Sequence, residues 1–169
     1  MKIRKSLLAI AAALSLLLTA CAATAPVPGE ETKPAEAATE QAAADEASQK
    51  KDDSEKKEFL QRAREIGEYQ EKVEAEAESQ MQMNQTSGEV YEKWKDLHDD
   101  IYDYLGGELN EAQLDELKKE ESEWLERRDK ALEKADKDYE GGSMAPMMHN
   151  TTASEYYKTR CYELIAMIG

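Results

Sequence analysis

The chain predicts an all-α fold, a small antiparallel helical bundle of about four helices. Three observations carry this. From about residue 54 onward apolar residues recur at spacings of three and four, and no run alternates with period two as a strand requires. Glycine pairs at Gly106-Gly107 and Gly141-Gly142 divide that pattern into segments of helical length. The connections are short, which makes consecutive helices antiparallel neighbours.

The first helix is expected from about Glu55 to Ala77. Its stripe is Phe59, Ala63, Ile66, Gln70, Val73 and Ala77, the most weakly apolar of the four. The second runs from about Gln80 to Leu105. Its stripe begins Met83, Val90, Tyr91, Trp94 and continues Leu97, His98, Ile101, Tyr102 and Leu105. Gly88 weakens it locally, and Gly106-Gly107 is expected to stop it. The third opens at Asn110, with Gln113 three residues on as a capping box, and runs to about Tyr139. Its stripe is Leu114, Leu117, Glu121, Trp124, Leu125 and Arg128, then Ala131, Leu132, Ala135 and Tyr139. Gly141-Gly142 ends it. Ser143 is the expected cap of the fourth helix, with Pro146 tolerated in its first turn. That helix is expected to bury Met144, Met148, Thr152, Tyr156, Arg160, Leu164 and Met167.

Ahead of the helices stand two other segments. Residues 1–20 read as a signal peptide: Lys2, Arg4 and Lys5 precede an apolar run from Leu7 to Leu18, too short for a permanent span. The run ends in Leu18-Thr19-Ala20-Cys21, which resembles the bacterial lipobox and implies that Cys21 is lipidated. A diacyl anchor holds firmly, because each buried CH₂ contributes about 0.8 kcal/mol. Residues 21–53 read as a disordered linker. Pro26, Pro28, Gly29 and Pro34 break regular structure, and large apolar side chains are almost absent. Within it the Ala-rich stretch Ala35 to Ala47 is expected to be transiently helical. The folded domain is then 54–169.

Charge and composition exclude several functions. Lys and Arg number 22 against 37 Asp and Glu, a net charge of −15, which falls to −18 once residues 1–20 and their three basic groups are removed. So acidic a chain is not built to bind nucleic acid. Two cysteines and two histidines are too few for a disulfide scaffold or a zinc cluster, and the glycines form no phosphate loop. No metal, no cofactor and no enzymatic activity are expected.

Three charged residues fall on apolar stripes: Glu121, Arg128 and Arg160. A buried charge without a partner costs several kcal/mol, so they are expected to pair with one another or with Asp129 and Glu163. An ion-pair network fixing helix register is the plainer reading, and a recognition pocket built from the same groups is the functional one. His98 reads as a hydrogen-bonded core histidine, His149 as exposed, and Cys161 as a free thiol. Trp94, Trp124 and the tyrosines at 91, 102, 139 and 156 read as core, with an aromatic groove for a partner or glycan as the alternative. Met144, Met147 and Met148 are either an adaptable contact surface or filler at the end of the bundle.

Taken in order, the motifs from about Met83 to Ile168 resemble the LprI-like lysozyme-inhibitor family. They are Met83-Asn84-Gln85, the stretch Trp94 to Tyr102 with its acidic Asp99, the spacing Leu117, Glu121, Trp124, Arg128, Asp129, the turn Gly141-Gly142-Ser143, and Arg160 with Glu163-Leu164. Where the family has Leu-Asn this chain has His98-Asp99, and Glu121 replaces a Gln. Thr86, Leu132 and Thr152 stand where many members carry cysteines, which implies a domain held by packing alone. The Trp, Arg, Asp and Gly-Gly-Ser positions are expected to be determinants of the fold.

The resemblance implies a secreted or lipid-anchored bacterial domain that binds lysozyme. The residues themselves leave two functions open. One is a protein binder of the cell envelope, anchored to the membrane by its N-terminal lipid and steered by charge to lysozyme or another basic envelope protein. The other is a structural or adaptor lipoprotein without inhibitory activity.

Overall fold

In the computed structural model, residues 35–169 are described, and they form four helices: α1 (Ala35–Glu76), α2 (Gln80–Glu108), α3 (Glu111–Asp138) and α4 (Ala145–Ala166). The signal segment, Cys21 and the linker as far as residue 34 lie outside the described residues.

Helix α1 begins about twenty residues before the expected Glu55, so the predicted linker 21–53 is corrected from Ala35 onward. Pro34 disfavours helix in the residue before it and is itself a tolerable helix start, and no proline follows until Pro146. The stretch after it is dominated by Ala, Glu and Gln, strong helix formers that need no apolar stripe. Two of its residues are also tied to α2: Lys51 pairs with Glu108, and Asp52 accepts a hydrogen bond from the Tyr104 hydroxyl at 2.7 Å.

Ser79 caps α2, its hydroxyl accepting from the Gln82 amide. The expected stop at Gly106-Gly107 is not seen. Both glycines are helical, and α2 closes at Glu108 through the Leu109 N–H to the Leu105 carbonyl. The capping box of α3 is present in both directions, at 3.1 Å each way between Asn110 and Gln113. After Asp138 the chain turns through Gly141, whose φ of 71° is the left-handed value that suits glycine. Ser143 does not cap α4. The N-cap is Met144, without a side-chain bond, and the Ser143 carbonyl accepts instead from the Asn84 amide at 2.9 Å.

The helices alternate in direction along the chain. The closest pair, however, is not sequential: α2 and α4 lie side by side and parallel, matching Ser87 to Asn150 and Trp94 to Cys161. Small residues permit this approach. Gly88 faces Asn150, and Ala153, Ser154 and Cys161 are buried along α4. Helix α1 packs antiparallel on one side of this pair and α3 on the other, chiefly against α4. The core is Trp94, Leu97, Ile101 and Leu105 of α2 with Leu164 and Ile165 of α4, closed by Phe59 and Ala63 from α1 and Leu117 and Trp124 from α3.

The stripe expected for α4 is shifted. Met144 and Met167 are exposed and Tyr156 is half-buried, while Tyr157, Cys161 and Ile168 are buried. A helix packed by three neighbours has no single apolar face for a period of 3.6 to reveal. Leu125 and Tyr139 of the α3 stripe are likewise exposed, because α3 is covered along only one side.

Candidate functional site

Two features stand out: a polar and aromatic junction where α2, α3 and α4 meet, and an apolar groove at one end of the bundle.

At the junction the His98 ring stacks on Trp124 at 5.1 Å, and Tyr157 meets both rings edge-on at 5.2 and 5.1 Å. Tyr102 lies alongside His98 at 6.2 Å. The Arg128 guanidinium sits 5.3 Å from the Trp124 ring and 5.5 Å from Tyr157, donates to the Tyr157 hydroxyl at 2.7 Å, and holds Asp129 with a second and third bond. One turn of α4 further, Arg160 donates to Glu121 at 3.1 Å and to Glu163 at 3.2 Å. His98 connects the two halves. Its Nδ1 is 3.0 Å from Asp99 and its Nε2 is 3.0 Å from Glu121, the latter off the line of a well-formed hydrogen bond.

The expected pairings of the stripe charges are therefore present: Glu121 with Arg160, Arg128 with Asp129, Arg160 with Glu163. Burial alone would raise the Glu121 carboxyl, but His98 and Arg160 outweigh it and hold the group below the usual carboxylate value. Burial likewise opposes ionisation of Asp99, and Lys95 and His98 reverse this. Such a constellation orients helices. Both carboxylates are committed to cations, and Trp94 and Trp124 are almost wholly buried, so neither a free acid/base pair nor an open sugar-stacking face is formed here.

The remaining motif residues lie elsewhere. Trp94 faces α1 and α4: its indole N–H points at Gln70 at 3.5 Å, and its carbonyl accepts from the Cys161 thiol. Gly141, Gly142 and Ser143 form the α3–α4 turn, linked to the start of α2 by Asn84. His149 is partly exposed and bonded to Asp136 at 2.8 Å. Cys21 lies outside the described residues. Sequence reasoning missed Tyr157, the hub of the aromatic cluster, by choosing its neighbour Tyr156. The signal was present in the spacing to Arg160, Cys161 and Leu164, which share a face with Tyr157.

The groove has a volume of about 310 Å³ and lies between the C-terminal end of α1 and the N-terminal ends of α2 and α4. Val73, Val90, Met83, Met147 and Met148 supply its apolar wall, and Glu74 stands at its edge. Met147 and Met148 line this groove, whereas Met144 is 41% exposed and fills no core. Among the described residues no group of His, Cys, Asp and Glu is placed to hold a metal ion, and no helix is long and apolar enough to cross a membrane.

No curated protein and no solved structure matches the chain. A family model, described as "Lysozyme inhibitor LprI", matches residues 71–164. The match starts in the last turns of α1, earlier than the resemblance from Met83, and takes in the whole junction and nearly all of α4. With more than half of its length covered and the ordered motifs gathered into one helical junction, the chain belongs to the LprI lysozyme-inhibitor family.

Proposed function

We propose that the chain is a lipid-anchored protein of the bacterial envelope whose acidic helical domain binds a basic protein partner outside the cytoplasmic membrane, and that lysozyme is such a partner. The single observation that carries this is the family match over residues 71–164. Charge supports it. With 37 acidic groups against 22 basic ones, the domain attracts a basic protein such as an animal lysozyme over long range and speeds its association at low salt. Lipidation of Cys21 is the proposed means of retention. The junction residues Trp124, Arg128, Asp129, Arg160 and Glu163 are assigned a structural role, as are Trp94, Asp99, Tyr102 and Glu121.

The test is a cell-wall lysis assay with lysozyme, titrating the chain from residue 21 onward with Cys21→Ser, at low and at physiological salt. Sub-micromolar inhibition that survives physiological salt supports a specific inhibitor. Inhibition confined to low salt, or none, refutes it. A second reading, an adaptor lipoprotein without inhibitory activity, is favoured by the apolar groove and by the exposed Met81 in the first turn of α2. Recovery of one envelope protein by crosslinking in cells, together with inactivity against lysozyme, would select it.

A further inference from the structure

The geometry points to the groove at the α1–α2–α4 end as the docking site for a basic polypeptide segment that inserts an apolar side chain. This rests on the protein-binding reading above and names the surface that does the binding.

The chemistry of the wall comes first. Met83, Met147 and Met148 border the opening, and unbranched thioether chains repack around whatever enters. A space of about 310 Å³ is at the small end of ligand pockets, sized for one or two side chains. Thr86 and Thr151, half-buried in the wall, leave the entrance polar enough to stay open to water when empty.

Charge selects the occupant. Between Gln70 and Glu92 the chain carries six acidic residues and one basic one, Lys72. Glu74 lines the groove, and Glu71 and Glu78 are exposed beside it on the same stretch. A second copy, itself at a net −15, is repelled from such a rim, and a segment carrying Lys or Arg around its apolar anchor is drawn to it.

The groove lies at the opposite end of the bundle from the Lys51–Glu108 contact between α1 and α2.

The experiment follows backbone amide shifts of the chain from residue 21 with Cys21→Ser. The probes are a short amphipathic helix of Leu and Lys, its Leu and Glu counterpart, and lysozyme. The Leu/Lys peptide should shift the amides of Val73, Met83, Met147 and Thr151, and the Leu/Glu peptide should not bind. Met83→Ala with Met147→Ala should weaken the Leu/Lys peptide about ten-fold. Glu74→Lys with Glu78→Lys, both exposed and expected to leave the fold intact, should weaken it most at low salt. Shifts elsewhere, equal binding of the Leu/Glu peptide, or indifference to both double variants would overturn the proposal, and equal binding would identify a site for apolar ligands of any charge. Lysozyme separates the two readings. If the peptide fills the groove and lysozyme does not bind, the groove stands and lysozyme is not the partner. If lysozyme binds with shifts elsewhere, the protein-binding reading stands and the groove is not its site.

Discussion

Replacing Arg160 with Met tests whether the junction holds the bundle together. The Arg160 side chain is 5% exposed and that of Glu121 12%, with 3.1 Å between Nε and Oε2. Taking one member from a buried ion pair costs about 3–5 kcal/mol, mostly because the other charge is left in a poor solvent. Glu121 keeps His98 at 3.0 Å, which puts the expected loss near the lower end, about 3 kcal/mol. For a domain of this size each kcal/mol lowers the melting temperature by about 3–4 °C, so Arg160→Met should melt about 10 °C early. Adding Glu121→Gln removes the stranded charge, and the double variant should recover part of the loss, with a coupling of at least about 1.5 kcal/mol. The pH dependence has a definite sign. The folded-state pKa of Glu121 lies below its ordinary 4.5, so on acidification the unfolded chain takes up the proton first. The stabilisation is therefore complete above about pH 4.5 and fades as pH falls through the lower folded value. In Arg160→Met the fading should shrink or reverse, because without the guanidinium burial pushes the folded-state carboxyl up and protonation relieves the stranded charge. Thermal melts by circular dichroism across pH 3 to 7 would read all three effects. A shift under about 2 °C, or single-variant losses that simply add, would refute the view that this pair stabilises the fold.

Four further outcomes can be checked. Arg128→Ala removes a cation from two aromatic faces and a bond to Tyr157, and should cost about 2 kcal/mol in chemical denaturation; unchanged stability with loss of partner binding would make Arg128 a contact residue instead. Gly106→Ala with Gly107→Ala should raise the melting temperature, each by roughly 0.5–1 kcal/mol in stability, because both positions are helical and an added Cβ meets nothing; destabilisation would place the helix end before them. Gly141→Ala meets nothing either, yet should cost about 1 kcal/mol, since φ is +71° there. Cys161 is buried, and burial pushes its thiol up to about 12, so it should resist alkylation by iodoacetamide at pH 8 and react only as the bundle unfolds, at a rate that rises with denaturant.

Local signals in the sequence were read where one residue decides the outcome. The Asn110–Gln113 capping box, the end of α3 ahead of Gly141-Gly142 and the apolar stripe of α2 each follow from side chains within a few residues of one another. The pairing of Glu121 with Arg160 was legible too, since an apolar stripe that carries a charge demands a partner, and few cations are placed to serve. What was not legible depends on neighbours. The α4 stripe is off by a residue because three helices cover that helix. The early start of α1 reflects helix propensity in a segment with no apolar pattern, reinforced by Lys51 and Asp52 against α2. The parallel closeness of α2 and α4 depends on small side chains at Gly88, Ala153 and Ser154, which carry no periodic signal. The groove combines residues from three helices, and Met147 and Met148 alone pointed to it.

On the proposed reading the two features divide the labour of the domain along its length. At the junction, charges and rings are mostly engaged with one another: Arg128 with Asp129, Tyr157 and Trp124, and Arg160 with Glu121 and Glu163, leaving the buried His98 Nε2 and Arg160 Nη2 without a well-formed hydrogen bond. Groups so engaged gain little by contacting a partner, because any new bond replaces one already made. The groove end has the opposite character. Its apolar wall is open, Met81 is 80% exposed, and the charges beside it are overwhelmingly of one sign. Binding there costs no internal bond, covers apolar surface and neutralises an acidic rim. A protein that holds itself together without a disulfide between its helices needs a rigid centre so that an end can remain open, and the same separation predicts that substitutions at the junction will report on stability while those at the groove will report on binding.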